Sequence, residues 1–228
     1  MKAIGICGMG GSGKEFLDLV GRVNDNRWEE IVFVDKSVDE SQRIFRGCKV
    51  YTFEETAEIY TPDEIEYVIS VGNVYLRDKI YRQVKDAGYH LATIIAPGVY
   101  IPESVSLGEG VIVRDHCFIS VDVVLKDNVM VQPNSVIGHD VVIGDNSIVA
   151  TQCSISGCVS IGYNTYIAFN CGIKELVSIG SNSIVSMGSI VNKDVADKVI
   201  VRGNPAEVFS KNYIGSAFRF NEVREKND

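Results

Sequence analysis

Residues 131–149 read VQPNSVIGHDVVIGDNSIV, and every sixth residue of this stretch is Val or Ile. The same step of six, taken from residue 95 to residue 191, meets only Ile, Leu or Val. The residue four positions after each of these aliphatics is always Val, Cys, Ser or Thr. A period of six fits neither an α-helix nor an alternating strand, but it fits a short strand followed by a corner. Three such units close a triangular coil of about 18 residues, so residues 95–196 are predicted to form a parallel β-helix.

The repeat also accounts for three of the six cysteines. Cys117, Cys153 and Cys171 occupy the small-residue position, where a thiol acts as a compact hydrophobic group. The cysteine spacing is not that of a secreted disulfide scaffold or of a zinc site. We therefore expect a cytoplasmic protein with reduced cysteines and no metal.

The charge balance and hydropathy of the chain exclude other classes of partner. The net charge is −8, and an acidic surface repels the phosphate backbone of nucleic acids. The chain has no apolar run of the length that a membrane span needs. The sequence therefore predicts neither a nucleic-acid partner nor a membrane partner, while small phosphorylated ligands stay compatible with it.

The first 90 residues follow a different pattern, in which strands alternate with helices. This order favours a small parallel α/β domain of the Rossmann-like type. The predicted strands cover residues 2–7, 31–34 and 67–71, and the predicted helices cover residues 14–23, 53–60 and 74–87. The sequence thus predicts an α/β domain over residues 1–90, the β-helix domain over residues 91–196, and a C-terminal tail over residues 197–228.

A glycine loop between the first strand and the first helix is the expected ligand site of the α/β domain. It contains Gly8, Gly10, Gly11, Ser12 and Gly13, which spell G-x-G-x-x-G. Such a loop presents backbone N–H groups to a pyrophosphate. A tight turn without a ligand is the alternative. A P-loop is rejected because Glu15 stands where magnesium binding needs Ser or Thr.

Two further positions are expected to border the same crevice. Asp35 ends the second strand, where an acid contacts a ribose or a base. Gly72 and Asn73 follow the third main strand, and Asn73 is also the expected N-cap of the next helix.

The predicted catalytic residue is His139, at a corner of the β-helix. One coil later the stacked residue is Gly157, which is expected to leave a slot with a bare backbone N–H on its wall. A neutral imidazole takes a proton from an attacking amine or hydroxyl near pH 7. Asp140, the next residue, is placed to orient the ring. A solvent-exposed His139 with no catalytic role stays open. His90 and His116 are expected to be structural.

Together, the glycine loop, the hexapeptide repeat, the segment 135–140 and the sequence RGNPA at 202–206 resemble a bacterial family of sugar acetyltransferases. This hexapeptide-repeat family includes sialic-acid O-acetyltransferases and UDP-4-amino-sugar N-acetyltransferases. The resemblance implies a left-handed β-helix and a homotrimer, with acetyl-CoA lying between neighbouring subunits.

The resemblance also implies roles for individual residues. His139 is the implied general base and Asp140 the acid that orients it. Gly157 is implied to contact the acetyl group, while Ala168 and Phe169 are implied to line the coenzyme groove. The implied site of the nucleotide-sugar is formed by the acceptor residues, which are Gly10, Gly11, Ser12, Gly13, Asp35, Gly72 and Asn73.

The leading interpretation is an acetyl-CoA-dependent N-acetyltransferase that acts on a nucleotide-linked 4-amino sugar by direct attack on the thioester. A sugar O-acetyltransferase and a non-catalytic trimeric scaffold are the alternatives. A γ-type carbonic anhydrase is disfavoured because only His116 and His139 lie within the repeat. An NAD-dependent oxidoreductase is disfavoured because no second catalytic domain is visible.

Overall fold

The computed structural model describes residues 2–23, 26–36 and 38–213. It contains the two predicted architectures, an N-terminal Rossmann-like α/β domain and a left-handed parallel β-helix. The chain passes from one to the other between β6 and β7, because β6 belongs to the α/β sheet and β7 pairs with the β-helix.

The α/β domain is a six-stranded sheet in the order β3-β4-β2-β1-β5-β6. Strands β1, β2, β4, β5 and β6 are parallel, while β3 pairs antiparallel with β4. The strands are β1 (Ala3–Cys7), β2 (Glu30–Val34), β3 (Ile44–Phe45), β4 (Cys48–Tyr51), β5 (Ile65–Ile69) and β6 (His90–Leu91). The helices are α1 (Gly11–Val23), α2 (Phe53–Ile59) and α3 (Val74–Asp86), with a 3₁₀ turn at Glu40–Gln42.

The largest differences from the sequence prediction in this domain concern helix α1, strand β5 and the β3–β4 hairpin. Helix α1 begins at Gly11 and not at residue 14, so three residues of the expected glycine loop form the first helical turn. Strand β5 begins and ends two residues earlier than predicted. The β3–β4 hairpin was not predicted, because strands this short carry no hydrophobic period.

The β-helix has three faces, each a parallel sheet of two-residue strands. Face 1 consists of β7 (Ile94–Ile95), β9 (Ile112–Val113), β12 (Met130–Val131), β15 (Ile148–Val149), β18 (Tyr166–Ile167) and β21 (Ile184–Val185). Face 2 consists of β10 (Phe118–Ile119), β13 (Val136–Ile137), β16 (Ser154–Ile155), β19 (Gly172–Ile173) and β22 (Ile190–Val191). Face 3 consists of β8 (Ser106–Leu107), β11 (Val124–Leu125), β14 (Val142–Ile143), β17 (Ser160–Ile161) and β20 (Ser178–Ile179).

The interior of the β-helix is the predicted stack of aliphatic and small side chains. The second residue of each strand points inward, and the small-residue positions pack beside it in one continuous buried cluster. Cys117, Cys153 and Cys171 are buried in this cluster, as predicted. Burial of β-branched and other aliphatic groups in such a column is the main stabilising term of the domain.

Each corner of the coil contains a residue in the left-handed backbone conformation. Positive φ values recur every six residues from His116 to Asn182, mostly at Asn and Asp. Short polar side chains tolerate this conformation best among residues other than glycine. The stacked His116, Asn134 and Gln152 are three such corner residues, which agrees with their expected structural role.

The α/β domain covers face 1. The outward residues of face 1, among them Ile112, Met130 and Ile148, share one buried cluster with Ile4 and Phe16 of the α/β domain. Ion pairs flank this contact on both sides, from Arg22 to Asp115 and from Lys85 to Glu109. Face 1 is therefore closed, and the edge where faces 2 and 3 meet lies on the opposite side of the triangular coil.

The buried Arg77 on α3 ties the two domains together. Its guanidinium donates to the backbone oxygen of Ile69 in the α/β sheet and to that of Asn128 in the β-helix. Asn128 begins a ladder in which each side-chain amide donates to the asparagine one coil further on, through Asn146 and Asn164 to Asn182. These hydrogen bonds hold α3 against a corner of the coil.

The segment after residue 196 begins as part of the fold. β23 (Val199–Gly203) pairs in parallel with β21, and β24 (Ala206–Lys211) pairs antiparallel with β23, so this hairpin extends face 1. The rest of the predicted tail, residues 214–228, lies outside the described residues. Among the described residues, no helix has the length and apolar character needed to cross a lipid bilayer.

Candidate functional site

His139 and Asp140 form a hydrogen-bonded pair on the edge between faces 2 and 3. The imidazole Nδ1 lies 2.7 Å from Oδ2 of Asp140. A carboxylate oxygen can accept a hydrogen bond from Nδ1 when that nitrogen carries the proton, and in that tautomer the lone pair lies on Nε2. The side chain of His139 is 59% exposed, which leaves Nε2 accessible to a ligand. The pairing therefore favours the tautomer that a general base needs.

The corner geometry explains why this pair forms. Asp140 occupies the left-handed corner, with φ of 56°, and its N–H donates to the backbone oxygen of Val121 one coil earlier. This backbone conformation holds Asp140 next to His139 on the outside of the coil, where the two side chains meet. The backbone oxygen of His139 in turn accepts from the N–H of Cys158 at 2.8 Å.

Gly157 lies directly over the imidazole. A Cβ atom on residue 157 would stand 2.5 Å from Nε2 and 2.6 Å from Cε1 of His139. Any side chain here would therefore displace the ring. Gly138 is needed for a similar reason, since a Cβ there would stand 2.7 Å from the backbone nitrogen of Gly157.

The expected slot between Gly157 and His139 differs from the prediction in one respect. The imidazole itself occupies the space that a side chain at residue 157 would take, so no gap remains between ring and backbone. A thioester must approach Nε2 beside the ring and not from between the two coils.

Two backbone N–H groups at this corner have no hydrogen-bond acceptor within the part of the chain that the structure describes. They belong to His139 and Gly157. At the edge between faces 3 and 1, the equivalent N–H groups of Glu109 and Asp127 donate to the aspartate one coil further on. Because Gly157 has no side chain, it provides no such acceptor for His139. Free N–H groups beside a base are the donors that stabilise a developing oxyanion.

The glycine loop has the shape expected of a phosphate site. Gly8 adopts φ of 107°, and a Cβ on Gly13 would overlap the backbone oxygen of Gly8. A Cβ on Gly10 or Gly11 would meet nothing within 4 Å, so the space beside them is open. Since α1 begins at Gly11, its unpaired N–H groups and positive dipole end face this open space.

Asp35 lies against the loop. Its carboxylate accepts from the backbone N–H of Met9 at 3.3 Å and from that of Lys36 at 2.7 Å. Asp35 and Gly8 also line a cavity of about 540 Å³, whose wall contains the cationic Lys36 and Lys79. Asp35 thus lies beside Gly8 and Met9 of the loop, whereas the predicted acceptor residues Gly10, Gly11, Ser12 and Gly13 do not line this cavity.

The other walls of this cavity differ from the prediction. Val71 lines it, while Gly72 and Asn73 do not. The Asn73 side chain instead accepts from the N–H groups of Tyr75 and Leu76, as the predicted N-cap of α3. Cys7 also faces the cavity, and burial raises the pKa of its thiol to about 12, so this thiol stays neutral and inert near pH 7.

Ala168 and Phe169 lie at a different edge from His139. Ala168 directly follows β18 of face 1 and is buried, whereas Phe169 is 45% exposed at the corner between faces 1 and 2. Within one chain, these two residues and His139 do not share a groove. They form one groove only if the edge of a second copy lies beside the first.

The sequence analysis missed one residue of the site. Cys158 is exposed and lies one coil above Asp140, and its sulphur, a nitrogen of His139 and an oxygen of Asp140 all lie within 4.8 Å of one another. The 18-residue coil length was the signal that could have found it, because residues 140 and 158 differ by one coil.

Comparison with known protein families gives two matches. Residues 3–84 match the PglD N-terminal domain, and residues 122–157 match the bacterial transferase hexapeptide (six repeats). The second match contains His139, Asp140 and Gly157. No curated protein matches the chain.

Solved structures share the fold over most of the chain. The acetyltransferase domain of PglB from Neisseria gonorrhoeae, in complex with acetyl coenzyme A, has a TM-score of 0.83 at 24% identity, covering 91% of this chain and 98% of its own. PerB from Caulobacter crescentus, in complex with CoA and GDP-perosamine, has a TM-score of 0.81 at 25% identity, covering 91% and 97%. WeeI from Acinetobacter baumannii has a TM-score of 0.68 at 24% identity, covering 91% and 100%.

These findings agree with the geometry described above. The PglB and PerB matches each cover 91% of this chain, which holds both matched domains. The two domain matches and the shared fold therefore support the predicted resemblance to the hexapeptide-repeat sugar acetyltransferases, and with it an acetyl-CoA-dependent acyltransferase.

Proposed function

We propose that the protein transfers the acetyl group of acetyl-CoA to the amino group of a nucleotide-linked amino sugar. The observation that carries this proposal is the His139–Asp140 pair, with Nε2 of His139 free and exposed beside unpaired N–H groups. The C. crescentus relative is a perosamine N-acetyltransferase studied with CoA and GDP-perosamine, which favours an amine over a hydroxyl acceptor.

In the proposed reaction, the acceptor nitrogen attacks the thioester carbonyl directly. Nε2 of His139 takes the proton that the amine loses as the new C–N bond forms. The N–H groups of His139 and Gly157 stabilise the oxyanion of the tetrahedral intermediate. The intermediate then expels the CoA thiolate, which takes the proton back from the imidazole. Asp140 keeps the imidazole in the productive tautomer and stabilises its positive charge.

The acceptor is assigned to the α/β domain. The open side of Gly10 and Gly11 and the α1 N-terminus suit a pyrophosphate, and Asp35 suits the ribose or base. Lys36 and Lys79 line the cavity wall and form no ion pair among the described residues, while the acidic Asp35, Glu54 and Asp86 line the same wall. The preference for an anionic nucleotide therefore rests on the open glycine loop and the α1 N-terminus.

The acceptor site and the base belong to different copies in this proposal. His139 lies on the edge opposite face 1, which the α/β domain of the same chain covers. A sugar held by that domain therefore reaches the His139 of a neighbouring subunit. The same arrangement brings Ala168 and Phe169 of one copy beside the His139 edge of another, where they line the acetyl-CoA groove.

A homotrimer satisfies this requirement, since a threefold ring repeats one contact and closes. Apolar residues exposed along face 2 support such a contact, because Phe118 is 58% exposed and Val136 is 43% exposed. A monomer seldom leaves a row of large apolar side chains in water.

The test is acetyl transfer with purified full-length protein. CoA release is measured with acetyl-CoA and a panel of acceptors, comprising UDP-, dTDP- and GDP-linked 4-amino sugars, sialic acid and neutral sugars. We expect release with one class of nucleotide-linked amino sugar and loss of about 10²–10⁴-fold in His139→Ala. Turnover with hydroxyl acceptors alone would instead support the O-acetyltransferase alternative. Unchanged turnover in His139→Ala would refute the mechanism.

A further inference from the structure

The strongest unexplained feature of the molecule is the thiol beside the proposed base. Cys158 is exposed, and its sulphur completes a group with His139 and Asp140 whose ligand atoms lie within 4.8 Å of one another. In the direct-attack reaction this thiol has no role. Imidazole nitrogen, carboxylate oxygen and thiolate sulphur are the three donor types that Zn²⁺ prefers in proteins.

The geometry of the group suits a small tetrahedral cation. Zn²⁺ holds nitrogen and oxygen at about 2.0–2.2 Å and sulphur at about 2.3 Å, so its ligand atoms stand roughly 3.3–3.8 Å apart. The three ligand atoms lie within 4.8 Å of one another, so binding requires the three exposed side chains to rotate until their ligand atoms come closer together. The backbone is already set, because the Cys158 N–H donates to the His139 oxygen at 2.8 Å and both Asp140 and Cys158 occupy stacked left-handed corners.

We propose that His139, Asp140 and Cys158 form an inhibitory binding site for Zn²⁺. The metal takes a lone pair of the imidazole and a carboxylate oxygen of Asp140, and the Cys158 thiol releases its proton to solvent on binding. A water molecule fills the fourth position, since the site is open. When the imidazole nitrogen coordinates the metal, His139 has no basic nitrogen left to take a proton from the acceptor amine. The inhibitory effect rests on the proposed function, whereas metal binding does not.

Binding is tested first, with the full-length protein stripped by a chelator and no acetyl-CoA or acceptor present. Zn²⁺ is titrated in competition with a chromophoric chelator, and Co²⁺ is titrated while the thiolate-to-cobalt charge-transfer band is recorded. We expect one metal ion per chain and a clear charge-transfer band. Absence of binding, or of the band, would overturn the proposal.

Substitutions distinguish metal binding at Cys158 from metal binding at other cysteines. Cys158→Asn removes the sulphur and suits the left-handed corner, because Asn takes the same conformation at Asn134 and Asn164. Loss of an outer-shell partner alone weakens metal affinity by ~10–100-fold, so loss of this ligand should weaken it by at least about tenfold. His139→Asn should do the same. The control Cys48→Ser, which removes a partly exposed thiol of the α/β domain, should bind as wild type does.

The activity arm follows with the acceptor that the protein uses. Zn²⁺ should lower the rate of acetyl transfer by the wild type, and the chelator should restore that rate. The rate of Cys158→Asn should stay close to its own metal-free value when Zn²⁺ is added. Equal binding by wild type and Cys158→Asn would overturn the site. Binding without inhibition would overturn the inhibitory role. A protein that binds Zn²⁺ but transfers no acetyl group would leave the site standing and refute only the proposed function.

Discussion

Gly157 lies one coil above His139, so close that a Cβ atom on it would stand 2.5 Å from the imidazole Nε2. The Nε2 atom of the proposed base thus lies next to the backbone of a residue that has no side chain. The first prediction follows from this contact.

Gly157→Ala should impair catalysis without unfolding the protein. The methyl group must push the imidazole aside, and the imidazole moves more easily than backbone because it ends a flexible exposed side chain. A displacement of about 1 Å at a reacting group costs roughly 10²-fold in rate, so we expect a fall of that order in kcat. Steady-state kinetics and a denaturant unfolding curve check both parts.

Gly21→Ala is the matched control for this substitution. Gly21 lies in α1 with no atom within 4 Å of the added Cβ. It should keep full activity and gain up to about 1 kcal/mol of stability from the better helix propensity of Ala. A Gly157→Ala enzyme as active as Gly21→Ala would contradict the placement of the base.

Asp140→Asn should lower kcat by about 10²–10⁴-fold while the protein stays folded. An amide that donates to Nδ1 favours the other tautomer, in which Nε2 carries the proton and cannot act as a base. The backbone tolerates the change, because Asn occupies the same left-handed corner at Asn134 and Asn146. The same substitution one coil earlier, Asp122→Asn, should leave kcat unchanged, and a similar loss in both variants would point to a general effect of charge.

Gly13→Ala should affect the stability of the protein, whereas Gly10→Ala should affect its binding of the acceptor. A Cβ on Gly13 overlaps the backbone oxygen of Gly8, so Gly13→Ala should destabilise the protein by about 1–3 kcal/mol. A Cβ on Gly10 meets nothing within 4 Å, so Gly10→Ala should keep its stability and raise only the KM for the acceptor. Unfolding curves and kinetics with varied acceptor separate the two. An unchanged KM in Gly10→Ala would argue against the glycine loop as the acceptor site.

A mixture of two inactive variants should regain activity if the site is shared between subunits. His139→Ala lacks the base, and Gly10→Trp fills the space beside the glycine loop. In mixed oligomers produced by co-expression, the intact acceptor site of a His139→Ala subunit lies beside the intact His139 of a Gly10→Trp subunit. Recovered CoA release confirms the shared site, whereas persistent inactivity of a verified mixed oligomer places both halves in one chain.

The stability of the protein should fall at alkaline pH, in part through Cys7. Burial raises the pKa of this thiol from 9.0 to about 12 in the folded state. Between these values the unfolded chain has lost the proton and the folded chain keeps it. This contribution to stability is therefore complete below pH 9 and is lost as pH rises, by up to about 1.4 kcal/mol per pH unit. Denaturant unfolding of wild type and Cys7→Ala at pH 8, 9 and 10 should show a smaller decline in the variant. Parallel declines would show that Cys7 is ionised alike in both states.

Much of the site could be predicted because residues that are 18 positions apart in the sequence stack on one another in neighbouring coils of the β-helix. With 18 residues per coil, Gly157 had to stack on His139, and Asp140 had to lie beside it at the corner. The paired strands confirm this register, since Ile137 lies opposite Ile155 in face 2. The catalytic roles of these residues stay predictions that the experiments above test.

Other features depended on side-chain packing that no period encodes. The N–H groups of Gly11, Ser12 and Gly13 were expected in a loop, but α1 begins at Gly11, because the missing Cβ of Gly13 lets the helix pack on the Gly8 backbone. The contact of Cys158 with the base depends on side-chain rotamers. The coil length places Cys158 one coil above Asp140, but neither the start of α1 nor the contact of the Cys158 thiol with the base changes the hydrophobic pattern.

The sequence by itself determined the two architectures, the core of the β-helix and the corner that holds His139, since each follows from a local repeat or a fixed coil length. Only the tertiary structure decided that the α/β domain covers face 1 and leaves His139 on the opposite edge. That choice depends on long-range packing, such as the burial of Met130 and Phe16 in one cluster although they lie more than 100 residues apart, which no pattern within either domain specifies.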